Sequence, residues 1–328
     1  MKTNVLIVGA GKIGAIRAKV IRKFSKKTKI YIFDTNFKKA KELATNVKGI
    51  AIKNLASTLR DSNIQIVVIA VPNKYSKKIC IQALKNKKHV LLEKPMGRNY
   101  KEAKEIYLAA KKYKMKFKCG FNHRYHLAVK EAHGLVKKGR IGKILYIRAV
   151  YGHGGRKDYE KEWRAKRSIS GGGELLDQGS HLIDLCNWFF DFDEIKKSFC
   201  IAKPMFWKMD VDDNAFVTFE TKSGKVAQIH VSWTQWKNKF LFEIYGTKGI
   251  VEITGLGKSY GTETLKLYER IIPGAPPRII KKSFKGPDIS WESEWKDYVK
   301  SIRSNKKVLS SENESLEVMR LINKLYGS

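Results

Sequence analysis

Acidic side chains are scarce in this chain of 328 residues: 31 Asp plus Glu stand against 66 Lys plus Arg, a formal net charge of +35. The shortage is uneven, with 30 basic and 6 acidic side chains in residues 1–122 and 36 against 25 in residues 123–328. A field of that size would attract nucleic acid, acidic membrane or anionic metabolites. The lysines are dispersed between apolar helix positions, however, as at Lys101, Lys104, Lys111 and Lys112, with no long basic run and no arginine–aromatic stripe. Dispersed charge reads as solvated helix faces, so neither a nucleic-acid nor a membrane partner is expected.

Cysteine is scarce too. Cys80, Cys119, Cys186 and Cys200 show no C-x-x-C spacing and sit in apolar segments, which excludes a disulfide scaffold and suggests buried thiols in a reducing compartment. Long hydrophobic runs are missing. Val5–Val8 is too short for a signal peptide and leads into a glycine loop, so a cytoplasmic protein without membrane spans is expected.

What is present is a rhythm of short apolar runs and amphipathic stretches from residue 4 to 121, the pattern of a parallel sheet with crossover helices. Strands are expected near 4–8, 29–33, 49–52, 65–71, 88–92 and 116–121. After Phe121 the pattern changes to a helix near 125–138, a strand near 143–151, a Gly- and Arg-rich loop at 152–173 and a helix near 174–190. Alternating strands at 195–271 follow, then a loop at 272–287 containing Pro273, Pro276, Pro277 and Pro287, and two closing helices. The expected fold is α/β: an N-terminal doubly wound Rossmann domain (1–122) and a C-terminal α+β domain (123–328) on an open, mainly antiparallel sheet.

Gly9-Ala10-Gly11-Lys12-Ile13-Gly14 follows the first apolar run. G-x-G-x-x-G is weak evidence alone, but here a strand precedes it, a helix follows, and Asp34 ends the next strand. Gly9 would permit the tight turn, Gly11 would let the backbone approach a pyrophosphate, and Gly14 would let helix and strand pack. Asp34 would accept hydrogen bonds from the adenosine ribose and repel a 2′-phosphate, favouring NAD; Lys38 and Lys39 leave room for NADP. Glu93-Lys94-Pro95 ends a later strand and reads as a charged tip carrying a catalytic lysine beside the nicotinamide.

Val71-Pro72-Asn73, Ala83-Leu84, Lys88-His89-Val90 and Glu93-Lys94-Pro95 closely resemble the Gfo/Idh/MocA oxidoreductases, the family of glucose–fructose oxidoreductase and inositol 2-dehydrogenase. Gly120-Phe121-Asn122 with Arg124, and the run Gly171–Asp184, fit its later motifs. Ser76 departs from a common histidine and Lys87 from a common glycine. The resemblance implies a catalytic group of Lys94, Asp177 and His181, with Asp177 and His181 at i and i+4 on one helix face. Gly9, Gly11, Lys12, Ile13, Gly14, Asp34, Val71, Pro72, Asn73, Glu93 and Lys94 are the expected cofactor contacts; Asn122, Arg124, Trp163 and Arg164 are the expected substrate contacts. His89, His123, His126, His133, His153 and His230 lack coordinated spacing, so no metal is expected.

The expected activity is hydride transfer between NAD and a secondary alcohol or ketone of a sugar, sugar acid, nucleotide sugar or cyclitol, in a homodimer or homotetramer. The basic loop 152–167, from Gly152 to Arg167, favours an anionic substrate, with a subunit-contact arm as its other reading. The rival functions are glycoside cleavage through transient oxidation by NAD, and a non-catalytic nucleotide sensor.

Overall fold

The computed structural model describes residues 4–272 and 274–327; Pro273, placed above in a loop, lies outside them, as do the outermost residues of the two expected domains. Continuous apolar runs suit strands buried on both faces. Six of them, β1 (Asn4–Val8), β2 (Ile30–Phe33), β3 (Ile50–Ala51), β4 (Ile64–Ile69), β5 (His89–Leu92) and β6 (Phe117–Cys119), pair in parallel in the order β3-β2-β1-β4-β5-β6. Helices α1 (Lys12–Phe24), α2 (Phe37–Val47), α3 (Leu55–Arg60), α4 (Asn73–Lys85) and α5 (Tyr100–Tyr113) form the crossovers. Strand order reverses between β1 and β4, and Gly9 follows β1 at that switch point, where ligands bind in open sheets of this kind.

The chain divides into two compact units, and the first takes in Trp291–Met319 as well as everything up to Phe121. Trp295, Tyr298, Val299 and Val308 pack into the same core as Val5, Ile7 and Ala18. The sequence reading put that C-terminal stretch in the second domain. Apolar spacing marks these helices as amphipathic but cannot say which core receives them.

In the second unit β7 (Ile144–Gly152), β8 (Ile195–Lys203), β9 (Asn214–Thr221), β10 (Val226–Ser232), β11 (Lys239–Gly246), β12 (Gly249–Thr254), β13 (Glu263–Glu269) and β14 (Arg278–Phe284) form one sheet. Its order is β14-β13-β12-β11-β7-β10-β9-β8, antiparallel throughout except for the β7–β10 pair. Period-two burial, complete along β13, turns one face inward. Helices α6 (Leu127–Lys137), α7 (Arg167–Ser170), α8 (Glu174–Asp177) and α9 (Gly179–Phe189) belong to this unit, and α6 and α9 pack on the sheet. The opposite face leaves Phe199, Ile201 and Phe216 exposed.

Two expectations need correction. Part of the stretch read as a loop at 272–287 is β14, a solvent-exposed edge strand held by its backbone ladder to β13; with both faces wet it has no alternation to read. The single helix expected near 174–190 is two, α8 and α9, joined at Gln178.

Candidate active site

The glycine loop has the shape of a phosphate cradle. Gly9 lies at φ +103°, and a Cβ there would sit 2.2 Å from the Ala70 carbonyl oxygen. A Cβ on Gly14 would meet the Gly9 oxygen at 1.9 Å, whereas one on Gly11 would meet nothing within 4 Å. Two glycines are therefore required by packing, and the third faces open space, as close approach of a ligand requires. Lys12, Ile13 and Gly14 form the first turn of α1, whose leading N–H groups have no intrahelical acceptor. The residues fit the phosphates of a dinucleotide.

Asp34 ends β2, but its carboxylate also serves the loop: Oδ2 accepts from the Ala10 N–H at 2.7 Å and Oδ1 from the Asn36 N–H at 2.8 Å. Val71 and Pro72 lead into α4, which begins at Asn73; Asn73 is buried, and its carbonyl accepts from the Ser76 hydroxyl at 2.8 Å. Lys87 adopts φ +57°, the conformation glycine favours.

Lys94 is half-buried just beyond β5, and Glu93 beside it turns into a buried ion cluster. The Arg17 guanidinium of α1, wholly buried, lies 2.6 Å from Glu93 Oε1 and 2.6 Å from Glu294 Oε2, on the helix Ser290–Arg303. It also stacks over Trp291 at 4.5 Å, and Lys118 stands 3.8 Å from Glu294. Burial pushes the Glu93 carboxyl above the usual range against the pull of Arg17. A Cβ on Gly120 would lie 2.8 Å from Glu93 Oε2, which explains the glycine before Phe121. Glu93, expected at the cofactor, thus braces the tip on which Lys94 stands. Arg17 and Glu294 were missed because no spacing rule links α1 to the last part of the chain.

In the second unit, Asp177 ends α8 and His181 lies in the first turn of α9. His181 is buried and stacks on His123, with ring centroids 3.7 Å apart and 15° between planes. His123 Nδ1 is 3.3 Å from Asn122 Oδ1, and the Asn122 amide donates to Ser290 Oγ at 3.0 Å. The other side of His123 meets Tyr151 at 5.3 Å and His126 at 5.4 Å. Tyr260 lies 5.0 Å from Tyr151, and its hydroxyl accepts from Gln178 Nε2 at 2.9 Å. His123, Tyr151, Gln178 and Tyr260 join the candidate site although sequence reasoning did not place them there; Gln178 lies within the run Gly171–Asp184 and His123 between Asn122 and Arg124.

Two of the expected substrate contacts already have partners within the fold. Arg124 is wholly buried, with Nε and Nη2 at 2.8 and 2.6 Å from the Asp184 carboxylate, so it braces α9. Asn122 is buried and holds His123. Arg164 and Trp163 do remain half-buried, with the guanidinium 4.5 Å over the indole and Arg164 Nε 3.4 Å from Asp177 Oδ2. Other cations of the loop are also paired, Arg156 to Glu162 and Lys161 to Asp158. Trp233 is core beside Tyr159 and Val211, whereas Trp236 is 68% exposed.

A six-stranded doubly wound sheet, a glycine cradle and a second unit built on an open sheet define the class: a two-unit dinucleotide-binding protein. The chain matches the family domain described as oxidoreductase family, NAD-binding Rossmann fold, over residues 3–121, and the GFO/IDH/MocA C-terminal domain over residues 129–252. The protein belongs to the Gfo/Idh/MocA family, and its N-terminal domain is an NAD-binding one. It is 28% identical over 220 residues to levoglucosan dehydrogenase of Pseudarthrobacter phenanthrenivorans, a match covering 60% of this chain and 56% of that one. It is 27% identical over 256 residues to 2,7-anhydro-N-acetylneuraminate hydratase of Escherichia coli, covering 76% and 67%. Glucose-6-phosphate 3-dehydrogenase of Bacillus subtilis is 29% identical over 194 residues, covering 58% and 55%. The match thus spans little more than half the length of two of these three curated relatives. The crystal structure of levoglucosan dehydrogenase with NADH and levoglucosan superposes with a TM-score of 0.89 at 22% identity, covering 100% of this chain and 97% of that one. An NAD-binding oxidoreductase from Klebsiella pneumoniae gives 0.88 at 19% identity, covering 100% and 97%.

Among the described residues no group of three or more His, Cys, Asp or Glu could hold a metal ion. No described helix is long and apolar enough to cross a membrane.

Proposed function

We propose that this protein is an NAD-dependent dehydrogenase that interconverts a secondary alcohol and a ketone on a sugar, sugar acid or cyclitol. When bound, NAD supplies the hydride acceptor, and the protein supplies orientation and proton transfer. His181 takes the hydroxyl proton, Lys94 polarises the reacting oxygen, and Asp177 orients the imidazole or the substrate. The observation that carries the reading is His181: a buried imidazole whose plane is fixed by His123, in a chain that also bears an open-faced glycine cradle. Incubation with NAD and a panel of nucleotide sugars, uronates, sugar phosphates, anhydrosugars and cyclitols should give NADH with at least one member. A silent panel would count against the reading.

A substrate carrying a carboxylate or phosphate is the finer form of this proposal. Its support is the number of cations in loop 152–167; its obstacle is that Arg164 already faces Asp177. Arg164 must exchange that partner for the substrate. Arg164→Ala should then raise KM several-fold while changing kcat less, since binding at a remote anion is shared by ground and transition states. Wild-type KM should also rise with salt. Unchanged KM, with a shift on a sizing column, would make the loop a subunit arm. Assembly into two or four copies is part of the same reading, and the exposed Phe199, Ile201 and Phe216 are apolar groups such an assembly would cover.

A second reading has one observation in its favour, the similarity to a relative named as a hydratase. Transient oxidation followed by re-reduction would convert the sugar with no lasting NADH absorbance, and product analysis beside the absorbance trace separates the two.

A further inference from the structure

Tyr260 stands on the turn between β12 and β13, where Gly255, Gly257, Lys258 and Gly261 all take positive φ. Its hydroxyl oxygen accepts a hydrogen bond from Gln178 Nε2 at 2.9 Å, and the Tyr151 ring lies 5.0 Å away. A phenol has one hydrogen to give and accepts through its lone pairs. With an amide donor on the oxygen, the Tyr260 hydrogen must be given to something other than Gln178 Nε2. The residue is half-buried, so that donor has somewhere to point. Burial pushes the Tyr260 hydroxyl up to about 12, which keeps the hydrogen in place at neutral pH.

Beside it is a complementary defect. Gln178 is only 7% exposed, and its Oε1 is buried without a hydrogen-bond partner. A buried acceptor left unmet is costly and rare, and such atoms mark a place where a ligand group or a water belongs. A directed donor next to an orphaned acceptor matches an alcohol, which both gives and takes a hydrogen bond. Gln178 lies between Asp177 and Gly179, and its carbonyl accepts from the His181 N–H at 3.0 Å. The donor–acceptor pair is therefore attached to the same turn as the proposed acid–base residues.

We propose that Tyr260 and Gln178 form a subsite that reads a second hydroxyl of a polyhydroxylated substrate, with Tyr151 as the positioning residue that aims Tyr260. The proposal deepens the dehydrogenase reading and rests on it for the identity of the reacting group. A site built to bond a hydroxyl rejects the analogue lacking it far more strongly than an apolar pocket can reject an extra group. Selectivity among stereoisomers and deoxy sugars would then follow from the turn Gly255–Thr262 as much as from the loop 152–167.

The test uses levoglucosan, glucose 6-phosphate and myo-inositol, each beside its monodeoxy analogues. Binding to the NADH-loaded protein is followed by calorimetry, and turnover with NAD by absorbance. Tyr260→Phe should raise KM about tenfold or more, change kcat by less than about threefold, and erase at least tenfold of the preference for the parent sugar over one deoxy analogue. Tyr151→Phe, which removes only the hydroxyl beside Tyr260, should lose a smaller part of the same preference. If Tyr260→Phe keeps wild-type discrimination against every analogue, Gln178 Oε1 meets water only and the subsite is wrong, while the dehydrogenase reading stands. Tyr260-dependent hydroxyl selectivity in binding without any turnover would keep the subsite and overturn the activity. Neither binding nor turnover with any probe overturns both.

Discussion

Around Lys94 the first unit gathers four charges into one cluster, whereas around His181 the second packs rings and hydroxyls beside separate ion pairs. Behind Lys94 a guanidinium, two carboxylates and an ammonium share a space closed to water, with Arg17 and Glu294 both wholly buried. Beside His181 stand His123, Tyr151, Tyr260 and Gln178, linked by stacking and single hydrogen bonds. A buried ion cluster is a poor source of stability compared with apolar packing, but it is geometrically exacting. It suits a lysine that must stay in one place on a strand tip. The carboxylates nearest in sequence to His181, Asp177 and Asp184, each face an arginine, so the imidazole stands among charges that are already paired.

The largest effects should come from removing the groups themselves. Lys94→Ala and His181→Ala are each expected to lower turnover by roughly 100-fold or more, the scale of lost acid–base help. The comparison sharpens if His181→Ala binds NAD within a small factor of wild type by fluorescence titration. It breaks if either variant turns over normally. Next is Glu294→Gln, which leaves Arg17 with one carboxylate in a dry site. Losing one partner of a buried pair should cost about 3 kcal/mol in urea unfolding, and turnover should fall because Arg17, which holds Glu93, loses its second anchor. Full stability would mean that water reaches this cluster and that the contrast with the second unit is false. The smallest effect concerns Asp34→Ser. NAD should lose its advantage over NADP by about 1 kcal/mol, and the glycine loop should loosen, because Ala10 N–H loses its carboxylate acceptor. NADP binding as tight as NAD in the unmodified protein would remove Asp34 from cofactor choice.

Local chemistry made the first unit legible. A tight turn that only glycine can make, a strand that must be apolar on both faces and a carboxylate one strand further on are all dictated over short stretches. The sequence alone therefore determined the parallel sheet, the cradle at Gly9–Gly14, and the placing of Asp34 and Lys94 at strand ends. Burial at one end of a long chain of choices was not legible. Arg124 and Asn122 look like polar residues beside a motif, and only the folded chain turns them inward onto Asp184 and His123. The edge strand β14 carries no alternation because both of its faces are wet. Tertiary structure alone decided that Glu294 would complete the cluster behind Lys94, and that Tyr260 would meet Gln178 and Tyr151. These contacts join residues separated by 82 to 277 positions, and no periodicity in the chain reports a partner that distant.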